Sequence, residues 1–236
     1  MCGRFSLSTD AEHVAEYFDL RGQFELMPRY NIAPTQPTPV VRADRDAPQR
    51  HRELAMMHWG LIPRWAKDAS IGKRLINARS ETASEKPAFR NAMKYRRCLV
   101  PADGFYEWKK VGDRKQPHFI RFQEDRLMSF GGLWEHWQDE HGNEMESVTI
   151  LTTAANELVA ALHDRMPVII EPPDFDAWLD TTQQSGEAAA ALTRPIASGL
   201  LTMYPVSVRV NSPKVDEPSL VEAAAVESGG EQQSLF

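Results

Sequence analysis

The chain has 236 residues, of which 42% are hydrophobic, 25% charged and 9% aromatic, enough apolar material for a sizeable core in one globular domain or two small ones. No run of about eighteen apolar residues occurs, which excludes a membrane-spanning helix, and the N-terminus has no secretory h-region, so a cytoplasmic protein is expected. The net charge of −6 conceals a basic island: residues 29–126 carry 21 Lys and Arg against 11 acids, whereas 127–213 carry three against twelve. Such asymmetry fits either a polyanion on one surface or basic and acidic blocks that pair within the fold.

The first expected element is a short helix with Thr9 as its cap, Glu12 closing a capping box, and Ala11, Val14, Ala15 and Phe18 on one stripe. Pro28, Pro34, Pro37 and Pro39 then exclude helix and read as extended chain. Strands follow at 38–41, 53–59 and 74–78. A hairpin is predicted from 105–108 and 118–122 around Gly112-Asp113-Arg114-Lys115, and a second from 127–137 and 147–152 around a polar turn. Residues 154–162 read as a helix capped by Thr153, Pro172-Pro173-Asp174 starts another that holds Trp178, 187–192 look helical, and 201–210 form a closing strand. Many strands with a few short helices predict an α+β class, a single domain with a curved, barrel-like mixed β-sheet. From Lys214 onward the composition turns acidic and small, so a domain over 1–213 and a flexible tail over 214–236 are expected.

Cys2 is the residue with the most chemistry. Removal of Met1 would leave an N-terminal Cys, with an α-amine of pKa near 8 and a thiol near 8.5 on adjacent carbons. The amine can condense with an aldehyde and the thiol can close a thiazolidine, or a thiolate can attack acyl groups. An ordinary cysteine near a frayed end is the alternative. Cys98, in Cys98-Leu99-Val100, reads as a buried small hydrophobe, and two cysteines are too few for a disulfide scaffold. Glu107, among Phe105, Tyr106 and Trp108, is either a proton-transfer group or an edge-strand partner of Lys109 or Lys115. His163, beside Asp164 at the end of an expected helix, is either an imidazolium able to protonate an oxygen or a capping side chain. Asn77 can hydrogen-bond a reacting oxygen, and Arg79 can hold a phosphate. Arg64 and Trp65 offer the parts of a single-strand stacking platform, whereas Trp59, on a strand, reads as core. The remaining histidines lack ligand-like spacing, so neither a metal nor a cofactor is expected.

Six motifs in order resemble the SOS-response-associated peptidase (SRAP) family, abasic-site processing proteins that crosslink to DNA. They are Met1-Cys2-Gly3-Arg4-Phe5, Tyr30-Asn31-Ile32-Ala33-Pro34, Trp59-Gly60-Leu61-Ile62-Pro63, Ile76-Asn77-Ala78-Arg79-Ser80-Glu81-Thr82, the run from Cys98 to Trp108, and His163-Asp164-Arg165-Met166-Pro167. Some relatives carry two adjacent Trp where this chain has Arg64-Trp65. The resemblance implies catalytic roles for Cys2, Asn77, Glu107 and His163. It also implies DNA contacts at Arg4 and Arg79, at Arg64 and Trp65, and at Pro34, Thr152 and Arg165. The implied activity is a thiazolidine link between Cys2 and an abasic site in single-stranded DNA, with lyase and reversal steps and a peptidase activity that removes Met1. A thiol hydrolase acting in trans and a non-enzymatic single-strand binder are the competing readings.

The expected partner is single-stranded DNA, the expected state a monomer. The chain ends Glu231-Gln232-Gln233-Ser234-Leu235-Phe236, similar to the short motif by which bacterial repair and replication proteins dock on the sliding clamp. Gln232, Leu235 and Phe236 are the expected clamp contacts, with a frayed or folded-back end as the alternative.

Overall fold

The computed structural model describes residues 2–44, 51–181 and 186–224. Among them run the strands β1 (Phe5–Leu7), β2 (Arg29–Ile32), β3 (Pro37–Ala43), β4 (Arg52–Trp59), β5 (Asn77–Arg79) and β6 (Arg97–Ala102). They continue with β7 (Gly104–Val111), β8 (Arg114–Phe122), β9 (Met128–Gln138), β10 (Glu144–Ala154), β11 (Arg165–Pro167) and β12 (Leu201–Pro205). The α-helices are short: α1 (Ala11–Phe18), α2 (Ser80–Ala83), α3 (Arg90–Tyr95), α4 (Glu157–Ala160), α5 (Phe175–Leu179) and α6 (Gly186–Ala191). None of the described helices is long and apolar enough to cross a membrane.

The expected α+β domain with a barrel-like mixed sheet is what forms. Strands β10, β4, β3, β6 and β9 pair in that order, and β9 pairs back onto β10, which closes a five-stranded barrel. The β10–β4 pairing is parallel and the others antiparallel, so the sheet is mixed. Closure removes the edges that an open sheet would leave unpaired. Beyond its barrel neighbours, β10 also carries β5 in parallel and β11 antiparallel. A second, antiparallel sheet runs β12-β8-β7-β1-β2.

One stretch of backbone belongs to both sheets. β6 ends at Ala102 and β7 begins at Gly104, with only Asp103 between them. The Asp103 carboxylate fixes this corner by accepting from Ser8 N–H at 2.5 Å, Ser8 Oγ at 2.8 Å and Thr9 Oγ1 at 2.7 Å. That use of Thr9 overturns the expected cap: Asp10 caps α1 instead, accepting from His13 N–H at 2.9 Å. The core lies where the two sheets meet. Phe5 and Phe105 from the open sheet pack edge-on against Trp59 and Phe130 of the barrel, with ring centroids 5.1–6.0 Å apart and all four rings fully buried. Truncating a ring so placed costs about 3–5 kcal/mol.

Both predicted hairpins form, and Trp59 and Cys98 are buried as read. Other expectations fail for local reasons. The helix predicted over 154–162 shrinks to α4 because β10 extends to Ala154 and Asn156, not Thr153, supplies the cap by accepting from Val159 N–H. The strand predicted over 74–78 is a 3-10 helix, Ala69–Arg74, followed by the three-residue β5. Here Gly60, with φ of +134°, and Gly72 lie back to back: a Cβ on either would sit 2.6 Å from the other's carbonyl oxygen. The strand predicted over 201–210 stops at Pro205 and gives way to the 3-10 helix Val208–Asn211. Residues 214–224, expected as the start of the tail, pack on the domain. Leu220 is fully buried, Asp216 accepts from Tyr30 N–H at 2.6 Å, and Ala223 bridges to Val206. Met1 and residues 225–236, with Gln232, Leu235 and Phe236, lie outside the described residues.

Candidate active site

Cys2 leads into β1 and is fully buried in the core beneath it. Its carbonyl accepts a hydrogen bond from Asn77 Nδ2 at 2.7 Å. Asn77 opens β5, whose register against β10 (Asn77↔Ile150, Ala78↔Leu151, Arg79↔Thr152) fixes its height on the barrel. Its other polar atom, Oδ1, is buried and finds no hydrogen-bond partner among the described residues. A buried acceptor left open beside Cys2 suits a donor that arrives later.

Glu107 comes to the same place from the other sheet. β1 and β7 pair Phe5 with Phe105, and Tyr106 N–H donates to Arg4 O at 3.0 Å, so the chain ahead of β1 runs alongside Glu107. Strand alternation puts Glu107 on the Phe105 side, and it is 4% exposed. Across the hairpin it stands in register with His118, whose pKa burial pulls down, favouring a neutral imidazole.

The Cys2 thiol is pushed far above its usual range, first by burial and then by the negative charge of Glu107. It is therefore a neutral S–H at pH 7, which opposes chemistry that begins with a thiolate. Burial raises the Cys98 thiol as well. Both groups hold their protons more tightly folded than unfolded. Their contribution to stability is thus intact below the ordinary thiol value of 9.0 and lost as pH rises above it. Unfolding free energies measured from pH 8 to 10, below the range where the buried tyrosines add their own effect, should fall beyond pH 9, with a limiting slope of about 1.4 kcal/mol per pH unit for each thiol. Cys98→Ala should roughly halve that slope. Free energies that stay flat to pH 10 would mean the thiols ionise in the folded protein.

His163 follows α4. Its Nδ1 lies 3.0 Å from Arg165 N and 2.7 Å from Asp164 Oδ1. Arg165 N–H can only donate, so that contact belongs to a neutral ring with its proton on Nε2, whereas Nδ1–H toward Asp164 belongs to the alternative tautomer or the imidazolium. The described contacts of His163 are thus with its own loop, and strand pairing of β11 with β10 links it to β5 and Asn77.

The residues read as DNA contacts differ in how free they are. Arg64 and Arg79 are exposed, and Trp65 is 61% exposed on the loop after Trp59. Pro34 is half-buried in the turn before β3. Arg4 is committed inward: its Nη1 donates to Asn31 Oδ1 at 2.7 Å and Val210 O at 2.6 Å, and burial lowers its pKa. Thr152 is fully buried, and its Oγ1 lies 3.4 Å from Ala78 O. Arg165 is paired with Glu81 through both oxygens, at 2.6 and 2.8 Å. Sequence reasoning gave no role to Glu81 or to Asn31. The buried Asn31 amide donates to Ser212 O at 3.0 Å and Val215 O at 2.6 Å, and so ties the C-terminal segment down beside Arg4. Both residues stand inside motifs already singled out, which was the available signal. Among the described residues no group of three or more His, Cys, Asp or Glu side chains is arranged to hold a metal ion.

The family description SOS response associated peptidase (SRAP) matches residues 1–213, which include every residue of this cluster. The chain belongs to the SRAP family. This SRAP chain is 40% identical to abasic site processing protein YoqW of Bacillus subtilis (strain 168) over 228 residues, covering 94% of this chain and 100% of that relative. It is 33% identical to abasic site processing protein HMCES of Gallus gallus over 258 residues, covering 92% of this chain and 76% of that one. Its SRAP fold matches the crystal structure of a protein from Bacteroides thetaiotaomicron with a TM-score of 0.85 at 27% identity, covering 95% of this chain and 100% of the other.

Proposed function

We propose that this SRAP protein processes abasic sites in single-stranded DNA by binding them covalently through Cys2 once Met1 has been removed. The observation that carries the reading is the convergence of three groups from separate elements. Asn77 Nδ2 holds the Cys2 carbonyl at 2.7 Å, and Glu107 is near enough for its charge to act on the Cys2 thiol. The names of the relatives point to the same substrate.

The ring-opened abasic sugar presents an aldehyde. The Cys2 α-amine adds to it, and loss of water gives an imine. The Cys2 S–H then adds across the C=N bond: sulfur bonds to carbon, nitrogen takes the proton, and a five-membered thiazolidine closes. A buried, neutral thiol fits this order of events, because the amine attacks first and the thiol follows within the same residue. Glu107 carries protons to and from the amine. As the sugar ring opens, its ring oxygen takes a proton from His163 Nε2 while the C1′ hydroxyl, in becoming the aldehyde, returns one to the imidazole, and Asn77 orients the adduct. A hydrolase acting in trans would need the thiolate that burial and Glu107 oppose.

A denaturing gel tests the reading. Protein lacking Met1 and mixed with an abasic single-stranded oligonucleotide should give a covalent shift, while an undamaged oligonucleotide should give none. Cleavage of an added peptide with no shift would establish the hydrolase instead. Non-covalent affinity should also fall with salt, by a log–log slope of about −0.7 for each phosphate neutralised. Arg79→Ala should weaken binding by about 1–3 kcal/mol if its guanidinium makes a charge-assisted phosphate contact. Affinity that is insensitive to salt would contradict this.

A further inference from the structure

Arg165 and Arg79 stand on β11 and β5, which pair with opposite edges of β10, and the Glu81 carboxylate feels both cations. Glu81 Oε1 and Oε2 accept from Nη1 and Nη2 of Arg165 at 2.6 and 2.8 Å, a two-pronged pairing. Its carboxyl is held below the usual range chiefly by that hydrogen bond, with the positive charge of Arg79 contributing. The two partners are not equally fixed. The Arg165 side chain is 12% exposed and Nη2 also donates to Thr152 O at 2.5 Å, whereas the Glu81 side chain is 50% exposed. The cation is anchored without Glu81, and the anion sits at the surface where it can swing away. Arg79 is exposed, and its guanidinium makes no hydrogen bond among the described residues.

We infer that Glu81 is a built-in phosphate surrogate, which occupies the guanidinium of Arg165 until a DNA phosphate displaces it. This rests on the single-strand reading above and adds a means of control to the same site. A carboxylate and a phosphodiester each present two oxygens on one side, and both fit the two-pronged face of a guanidinium. In the free protein Glu81 supplies the negative charge that offsets both Arg165 and Arg79. An arriving strand must compete with it, so hold on undamaged DNA is weakened. Retention at an abasic site, which depends on a covalent bond, escapes that penalty.

Exchange of one anion for another also leaves a mark in the salt dependence. In the wild type, a phosphate on Arg165 displaces Glu81. The freed carboxylate gathers a cation that offsets the one shed by the DNA phosphate; Glu81→Gln lacks that offset, which steepens the log–log slope by up to about 0.7. The experiment is anisotropy titration of a labelled, undamaged single-stranded oligonucleotide over a salt series. It compares the wild type with Glu81→Gln, Glu81→Asp, Arg165→Gln and the Glu81→Gln/Arg165→Gln double variant. At low salt Glu81→Gln should bind about 3–10-fold tighter with the steeper slope, and the double variant should match Arg165→Gln alone. Glu81→Asp keeps the charge but is too short to span both prongs, so it should bind tighter than wild type by a smaller factor. It also serves as the test if Glu81→Gln does not fold. Equal or weaker binding by the Glu81 variants, with Arg165→Gln impaired, would overturn the inference and make Glu81 a support for the arginine. Arg165→Gln with no effect in either background would overturn it too, by removing Arg165 from the DNA path. The wild-type covalent shift is scored separately, so either failure is distinct from a failure of the crosslinking reading itself.

Discussion

Cys2→Ala, freed of Met1, forms no covalent adduct with abasic single-stranded DNA and still binds the strand. The α-amine survives in this variant, so an imine can form, but nothing traps it and the imine hydrolyses on the gel. Non-covalent affinity persists because the exposed Arg64, Trp65 and Arg79 are untouched. Replacing the buried sulfur with a methyl-sized side chain removes little volume, so the fold holds. Cys2→Ser supplies amine and hydroxyl and should give at most a short-lived oxazolidine. A wild-type yield of stable adduct from Cys2→Ala would end the thiazolidine reading, since no other residue offers an amine and a thiol together.

Glu107→Gln slows adduct formation, strand cleavage or adduct reversal by about 10²–10⁴-fold, the usual weight of a proton-transfer group. The substitution keeps the shape and deletes the charge, so the β1–β7 pairing and the aromatic core are preserved. It also predicts a second change that owes nothing to DNA. Glu107 is one of the two main causes that lift the Cys2 thiol, and burial is the other. Without the carboxylate the thiol ionises more readily, so alkylation of Cys2 speeds up while Cys98, which Glu107 does not influence, keeps its rate. Unchanged rates in both assays would reduce Glu107 to a structural side chain.

The sequence made the fold class and the family legible because those depend on patterns repeated along the chain. Alternation around Gly112-Asp113 and around the 139–143 turn marks two hairpins whatever surrounds them. The misread elements are those that distant contacts decide. Residues 154–162 have helical composition, yet Thr153 and Ala154 pair with Met166 and Arg165, and the ladder takes precedence over propensity. Thr9 has a good capping hydroxyl, but Asp103, nearly a hundred residues away, claims it. The site divides in the same way. Residue chemistry marks Cys2, Asn77, Glu107 and His163 as candidates, while only the register of β5 on β10 and of β1 on β7 shows which of them meet. Arginines all look alike in a sequence. That Arg4 is turned inward to Asn31, that Arg79 is open and that Arg165 is engaged by Glu81 follows from three-dimensional neighbours alone.

The corner at Asp103 has a mechanical meaning. The backbone from Arg97 to Val111 is a rung of the barrel in its first half and of the open sheet in its second, with one residue as the joint. Neither layer can be peeled from the other by loosening side chains, because the same covalent ribbon is stitched into both. Pulling on the open sheet loads β6, and loosening the barrel frees β7. Amide hydrogens in the two layers should then exchange in one concerted opening, not as separate subdomains. Cys2 and Glu107 hang from one side of this seam and Asn77 from the other, so these three residues stay together for as long as the seam is closed.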